Sequence, residues 1–139
     1  MNYKIVAVDF DGTLFENKWP EIGEPNIALI NYVKKRQEQG DKIILWTCRC
    51  GDKLDAAVKK CEEYGLVFDA INENLPEAIE MFGSDSRKIF AHEYIDDKNY
   101  WPHEYIDNYQ TTPFFKESEV DNLPPSFIYD FIKKWLERD

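Results

Sequence analysis

From Lys4 the chain reads "KIVAVDF", a continuous apolar and β-branched run with no polar alternation. Such a run predicts a strand over 4–10 buried on both faces, as in a parallel sheet. The next positions, "DGTLFENKWPEIGEPN", are rich in turn formers and predict a loop or small hairpin flap. Pro25 suits the first turn of a helix running to about Gln39. Ile27, Leu29, Ile30 and Val33 give it an apolar face, and Gly40 is its stop. A second strand is expected at 42–47 ("KIILWT"), then a loop, "CRCGD", whose Asp52 is placed to cap a helix over 53–64 that Gly65 ends. "LVFDAI" at 66–71 reads as a third strand. Pro76, with Asn72 and Asn74 as capping residues, opens a short helix that closes at Gly83, and "KIFAHEYI" at 88–95 reads as a fourth strand.

Strands alternating with helices call for an α/β fold: a Rossmann-like parallel sheet with helices on both faces. The pattern breaks near Lys98. The stretch 98–125 is aromatic and interrupted by prolines, and is expected to wrap the core or shape the mouth of a site. Residues 126–138 form an amphipathic helical pattern with Phe127, Phe131 and Trp135 on one side, expected to dock on the core. The organisation read from the sequence is an α/β core at 1–98 and an extension at 99–139 packed on it. At 139 residues this makes one domain overall.

Composition narrows the function classes. A net charge of −10 argues against non-specific nucleic-acid binding, but leaves room for a small phosphorylated substrate held by a local cation. No apolar run approaches the ~18 residues of a membrane span. The N-terminus lacks the pattern of a secretory signal, so a cytoplasmic location is expected. The three cysteines, with Cys48 and Cys50 one residue apart, do not make a disulfide framework and are expected to be reduced. Cys61, His92 and His103 add no zinc-ligand spacing.

In open parallel sheets, ligands sit beyond the carboxyl ends of the strands. Those ends carry Asp9 and Asp11, then Thr47 and Arg49, then Asp96 and Asp97. Two like charges ~4 Å apart repel by about 4 kcal/mol at an effective dielectric of about 20. Four carboxylates on one rim therefore call for a hard cation, and Mg²⁺ takes carboxylates, water and a substrate phosphate oxygen. Asp9 and Asp11, at i and i+2, project to one side of an extended strand, so one can attack while the other trades protons. Gly12 permits a bend and close backbone approach. The Thr47 hydroxyl and the Arg49 guanidinium suit phosphate oxygens. Trp19, in the flap, is placed either to stack on a substrate or to pack on the sheet edge.

"DFDGTL" at 9–14, the strand ending in Thr47 and the later strand ending in Asp96-Asp97 together resemble the haloacid dehalogenase (HAD) superfamily. The resemblance covers about 4–98. It implies a Mg²⁺-dependent phosphomonoester hydrolase with Asp9 as the nucleophile that carries an aspartyl-phosphate and Asp11 as general acid and base. It also implies that Thr47 binds the phosphoryl group and that Asp9, the Asp11 backbone carbonyl and Asp96 hold the metal, with Asp97 as a further ligand or a support. The family's basic third motif has no match at its usual place near the end of the third strand. Lys98, Arg49 and Lys53 are the expected substitutes. Lys88, at the start of a strand that Asp96 ends, is expected about 26 Å away at the opposite edge, eight residues at ~3.3 Å each. The gaps between motifs are too short for a cap domain, so the site is expected to be open, covered by the aromatic stretch 100–115 or by a second subunit of a homo-oligomer. The missing cation keeps a second reading in play: a catalytically weak or inactive phosphate-binding regulatory domain. A receiver-type signalling domain fits poorly, because its acceptor aspartate ends the third strand, where this chain has Ala70-Ile71.

Overall fold

The computed structural model describes residues 1–100. The chain divides into two compact units, Met1–Asn99 and Tyr100–Asp139. The expectations for the aromatic stretch, for the helix at 126–138 and for their packing on the core lie outside the described residues. Among the described residues, no helix is long and apolar enough to cross a membrane.

The opening run forms β1 (Ile5–Val8), and all four of its residues are buried. A hairpin follows, β2 (Phe15–Lys18) and β3 (Glu21–Pro25), then α1 (Ile27–Glu38), β4 (Lys42–Leu45), α2 (Gly51–Glu63), β5 (Ala70–Ile71), α3 (Pro76–Phe82) and β6 (Glu93–Ile95). The main sheet has the order β5-β4-β1-β6 and every pairing in it is parallel. This is a Rossmann-like α/β sheet without a cap domain among the described residues. The hairpin forms a separate two-stranded sheet. The chain leaves β1 towards β4 on one side and returns to pair β6 on the other, so the strand order reverses between β1 and β6. That is where such folds bind ligands.

The period of two along each strand explains why β1 reads as unbroken apolar sequence. Val6 and Val8 face one side, with Ile43 and Leu45 of β4, Ile30 and Val33 of α1, and Ala57 and Cys61 of α2. Ile5 and Ala7 face the other, with Ile44, Leu75 at the start of α3, and Ile89. Burying each Val, Leu or Ile side chain contributes about 1.5–3 kcal/mol, so both faces hold β1, and with it the position of Asp9, firmly.

Several boundaries differ from the pattern-based expectation, and the two shortened strands differ because a side chain takes the backbone group a longer strand would have used. The third strand is two residues, not six: Leu66 turns into the core, and Asp69 receives the Ile43 N–H on its own carboxylate at 2.8 Å. The fourth strand starts at Glu93 rather than 88, because the Phe90 N–H donates to Asn74 Oδ1 (2.7 Å) and the Ile5 N–H donates to His92 Nδ1 (2.9 Å). Pro25 ends β3 instead of opening α1, and Asn26 caps that helix by accepting the Leu29 N–H. Asp52 lies inside the first turn of α2, where its charge favours the helix dipole, and Cys50 is the capping position. Neither Asn72 nor Asn74 caps α3. Pro76 stands at its first turn and Gly83 closes it with φ +72°.

Opposite the rim that carries Asp9, Asp41 ties the start of β1 to α1. Its carboxylate accepts the Lys4 N–H at 2.9 Å and Arg36 Nε at 2.6 Å, and Arg36 also reaches Glu93 of β6. The Lys4 hydrogen bond first, and then Arg36, hold Asp41 below the usual carboxylate range. A depressed carboxylate stabilises the fold above its unfolded pKa of about 3.9, and that contribution disappears as pH falls through the lower folded value. Asp41→Asn is therefore expected to lower stability at pH 7, with the gap to wild type closing below about pH 4, as read from urea melts across pH.

Candidate functional site

The carboxyl end of β1 meets that of β6 through the Asp9 N–H, which donates to the Ile95 carbonyl at 2.9 Å. This bond carries the strand pairing one residue further and brings three acids together. Asp9, Asp96 and Asp97 each present an oxygen within 4.8 Å of the others. Two features allow that crowding. Gly12 has φ +83°, and a Cβ there would stand 2.3 Å from Asp97 Oδ2, so only glycine lets the loop pass so close. The Thr13 hydroxyl donates to Asp9 Oδ2 at 2.9 Å and accepts the Asp97 N–H at 3.0 Å, joining the two strand ends through one side chain. Burial pushes the Asp9 carboxyl up to about 6, against the Thr13 hydrogen bond and with help from the Asp96 and Asp97 charges. The donors are all hard carboxylate oxygens, the set that suits Mg²⁺, so Asp9, Asp96 and Asp97 fit such an ion. The Asp11 side chain is not part of this group, which leaves only its backbone carbonyl for a metal role.

Arg49 accounts for Asp11. Its guanidinium grips the Asp11 carboxylate in two bonds, Nε at 2.8 Å and Nη2 at 2.7 Å. Nη2 also donates to the Glu21 carbonyl, and Nη1 to those of Pro20 and Lys53. All five of its N–H groups are thus engaged, and the residue is 2% exposed although charged. This corrects the expectation that Arg49 binds phosphate: no donor is left over. It is instead a buried clamp joining Asp11 to the hairpin and to the start of α2, and its charge is balanced by Asp11 in the bidentate geometry that buried guanidinium prefers.

Thr47 lies where expected, at the rim beyond β4. Its hydroxyl oxygen accepts the Arg49 N–H at 3.1 Å, which directs the hydroxyl proton elsewhere. Asn72, in the left-handed region at φ +54°, holds this loop from the side, accepting the Thr47 N–H at 2.8 Å and donating to the Arg49 carbonyl. A cavity of about 300 Å³ is walled by Asp9, Thr47, Trp19, Asp96 and Lys98. Lys98 reaches Asp97 at only 3.5 Å and its side chain is 75% exposed, a loose surface pairing. The Lys53 carbonyl serves Arg49, and its side chain stays outside this wall.

The position of Lys88 is a second correction. It was expected at the far edge on the premise that 88–95 is one extended strand. Because the strand begins only at Glu93, the segment before it folds back along the sheet, secured by Asn74 and by the Tyr94 hydroxyl on the Ile89 carbonyl. Lys88 Nζ comes to lie over the Tyr94 ring at 5.6 Å and borders a cavity of about 280 Å³ that Asp9 and Asp96 also line. The side chain ruled out by extended-chain arithmetic is therefore on the rim that carries Asp9 and Asp96. Thr13 and Asn72 also hold the site, though neither was assigned a role in it from the pattern of the chain. A hydroxyl next to Gly12 and an asparagine at a turn are their only sequence signals. Cys48 and Cys50 are exposed and Cys61 is buried, its thiol pushed up to about 12 by burial and so held protonated.

The raised Asp9 carboxyl makes a prediction for the metal-free protein. The folded group binds its proton more tightly than the unfolded one, which titrates near 3.9. Stability therefore falls as pH rises from about 4 towards about 6, and the full penalty is present above that. Asp9→Asn removes the penalty. In EDTA at pH 7.5 it is expected to melt above wild type, with the difference shrinking at pH 5; thermal melts at both pH values check this.

No family model and no curated protein matches the chain. A solved structure described as a conserved protein coded by a locus from Bacteroides thetaiotaomicron is similar to it over 99% of this chain and 94% of that one, at 32% identity and a TM-score of 0.63. At that identity over nearly the whole of both chains, the protein belongs to the same family as the conserved Bacteroides thetaiotaomicron protein.

Proposed function

We propose that this chain is a Mg²⁺-dependent phosphomonoester hydrolase of the HAD type that works through an aspartyl-phosphate on Asp9. The observation that carries the reading is the meeting of Asp9, Asp96 and Asp97 within 4.8 Å at the point where the strand order reverses, beside a cavity that Thr47 lines. Bound there, Mg²⁺ would neutralise the crowded acids and the phosphoryl oxygens. The ionised Asp9 carboxylate attacks phosphorus. The bond from phosphorus to the substrate oxygen breaks, and that oxygen takes a proton from Asp11, which has first turned out of the Arg49 clamp and taken up that proton from solvent. Asp11 then takes a proton from a water molecule whose oxygen attacks the same phosphorus, and the bond from phosphorus to Asp9 breaks, releasing phosphate and restoring the Asp9 carboxylate. Thr47 donates its free hydroxyl proton to a phosphoryl oxygen, and Lys88 supplies positive charge from the other side of Asp9.

One observation favours a second reading, a phosphate-binding regulatory domain with little or no turnover. Both Asp11 oxygens are held by Arg49, so proton transfer to a leaving group requires the Asp11 side chain to turn out of that clamp. Tight binding of a phosphate mimic such as beryllofluoride in Mg²⁺, with no hydrolysis of any phosphomonoester, would establish this second reading in place of the first.

Phosphate release from an aryl phosphate tests the hydrolase directly. Wild type is expected to turn over in Mg²⁺ and to stop in EDTA. Asp9→Asn should be silent, and Asp11→Asn reduced by about 10²–10⁴-fold, the range for a lost general acid and base. Lys88→Ala should lose about 10²–10³-fold, as for a removed charge-stabilising donor, while Lys98→Ala stays within a few-fold. Equal release by wild type and Asp9→Asn would sink the proposal.

A further inference from the structure

We infer that this site takes phosphomonoesters whose leaving group carries a flat unsaturated ring, a nucleobase or an aryl group, and that Trp19 is the residue that holds the ring. This rests on the phosphomonoesterase reading and adds the class of leaving group to it. Trp19 sits at the turn of the β2–β3 hairpin and lines the same cavity as Asp9, Thr47 and Asp96. It remains 58% exposed. A single exposed tryptophan is ordinary; what sets this one apart is its support.

The Arg49 guanidinium lies over the Trp19 ring, with Cζ 5.0 Å from the centroid, and over the buried Phe10 ring at the same distance. Arg49 is itself held by three backbone carbonyls, which stay engaged when Asp11 turns away. The Trp19 N–H donates to Asn17 Oδ1 at 3.2 Å, which fixes the turn. A layered arrangement thus runs from Phe10 in the core through Arg49 to an indole at the cavity wall. A ring held this way loses little freedom when another flat group stacks on it, and aromatic faces are the usual platform for bases and aryl rings.

Two further features agree. The same Asn17 bond orients its amide so that Nδ2 points away from the Trp19 N–H, and Asn17 lines the cavity, where that donor suits an acceptor on a ring edge. The cavity, at about 300 Å³, has room for a phosphate and one ring system, at the small end of ligand pockets. A polynucleotide would need a longer groove and a basic surface, and the chain carries a net charge of −10.

Binding to the Asp9→Asn protein in Mg²⁺ reads the inference without turnover. Adenosine monophosphate, phenyl phosphate and glycerol phosphate are titrated by calorimetry and by indole fluorescence. The titrations are repeated with Trp19→Leu and Trp19→Phe in the same background. At least one ring-bearing phosphate is expected to bind about tenfold more tightly than glycerol phosphate, the scale of one aromatic stack. Trp19→Leu should abolish that preference with glycerol phosphate changed less than about twofold, and Trp19→Phe should keep most of it. A preference for adenosine monophosphate assigns a nucleobase, and one for phenyl phosphate an aryl group. Equal affinity for all three ligands, or uniform weakening of all three by Trp19→Leu, overturns the inference. Hydrolysis is measured separately on the Asp9 protein. Absence of turnover with the Trp19-dependent preference intact removes the hydrolase reading and leaves the ring site standing.

Discussion

Three carboxylates are held together where β1 and β6 part, and their mutual repulsion is the constraint that the rest of the rim answers. At an effective dielectric of about 20, each close pair costs a few kcal/mol, comparable to a sizeable share of the stability of a small domain. The fold sustains this because both strands that deliver the acids are anchored far from them. β1 is packed on both faces, and β6 is bound to it by ladder bonds that continue to the Asp9 N–H. Thr13 bridges the two ends, and Gly12 leaves the room that any side chain would fill. Burial first, and then the Asp96 and Asp97 charges, lift the Asp9 carboxyl to about 6.

A second charge problem is solved a few residues away by pairing a buried guanidinium with a half-buried carboxylate. Arg49 and Asp11 sit in a two-bond grip under the hairpin. Burying a guanidinium is costly unless every donor is met, and here the hairpin turn supplies two of the missing carbonyls. The clamp therefore ties the acid that would handle protons to the flap that borders the cavity, and it gives Trp19 a rigid backing. Catalytic chemistry and substrate contact would share one structural joint, so movement of the hairpin and release of Asp11 are expected to be linked.

Local pattern carried far in this chain. The unbroken apolar run of β1, the turn-rich flap, the helices stopped near Gly40, Gly65 and Gly83, and acids at successive strand ends all follow from side-chain periodicity and short-range backbone chemistry. Where β5 and β6 are shorter than the pattern predicts, a side chain has replaced a backbone partner. Asn74 and His92 took bonds that would have lengthened β6, and Asp69 did so beside β4. Such substitutions leave no periodic trace.

By itself, then, the sequence determined the α/β class, the parallel sheet built on β1, and the rim on which Asp9, Thr47, Asp96 and Asp97 gather, because strand polarity alone sends strand-end residues to one edge. Only the tertiary structure decided what the cations do. Arg49 is taken out of play by an acid 38 residues away and by the hairpin carbonyls. Lys88 is brought to the cavity beside Asp9 by a segment that folds back instead of extending. A long flexible side chain goes where its partners are, and those partners are set by packing between distant parts of the chain, which no local pattern of residues encodes.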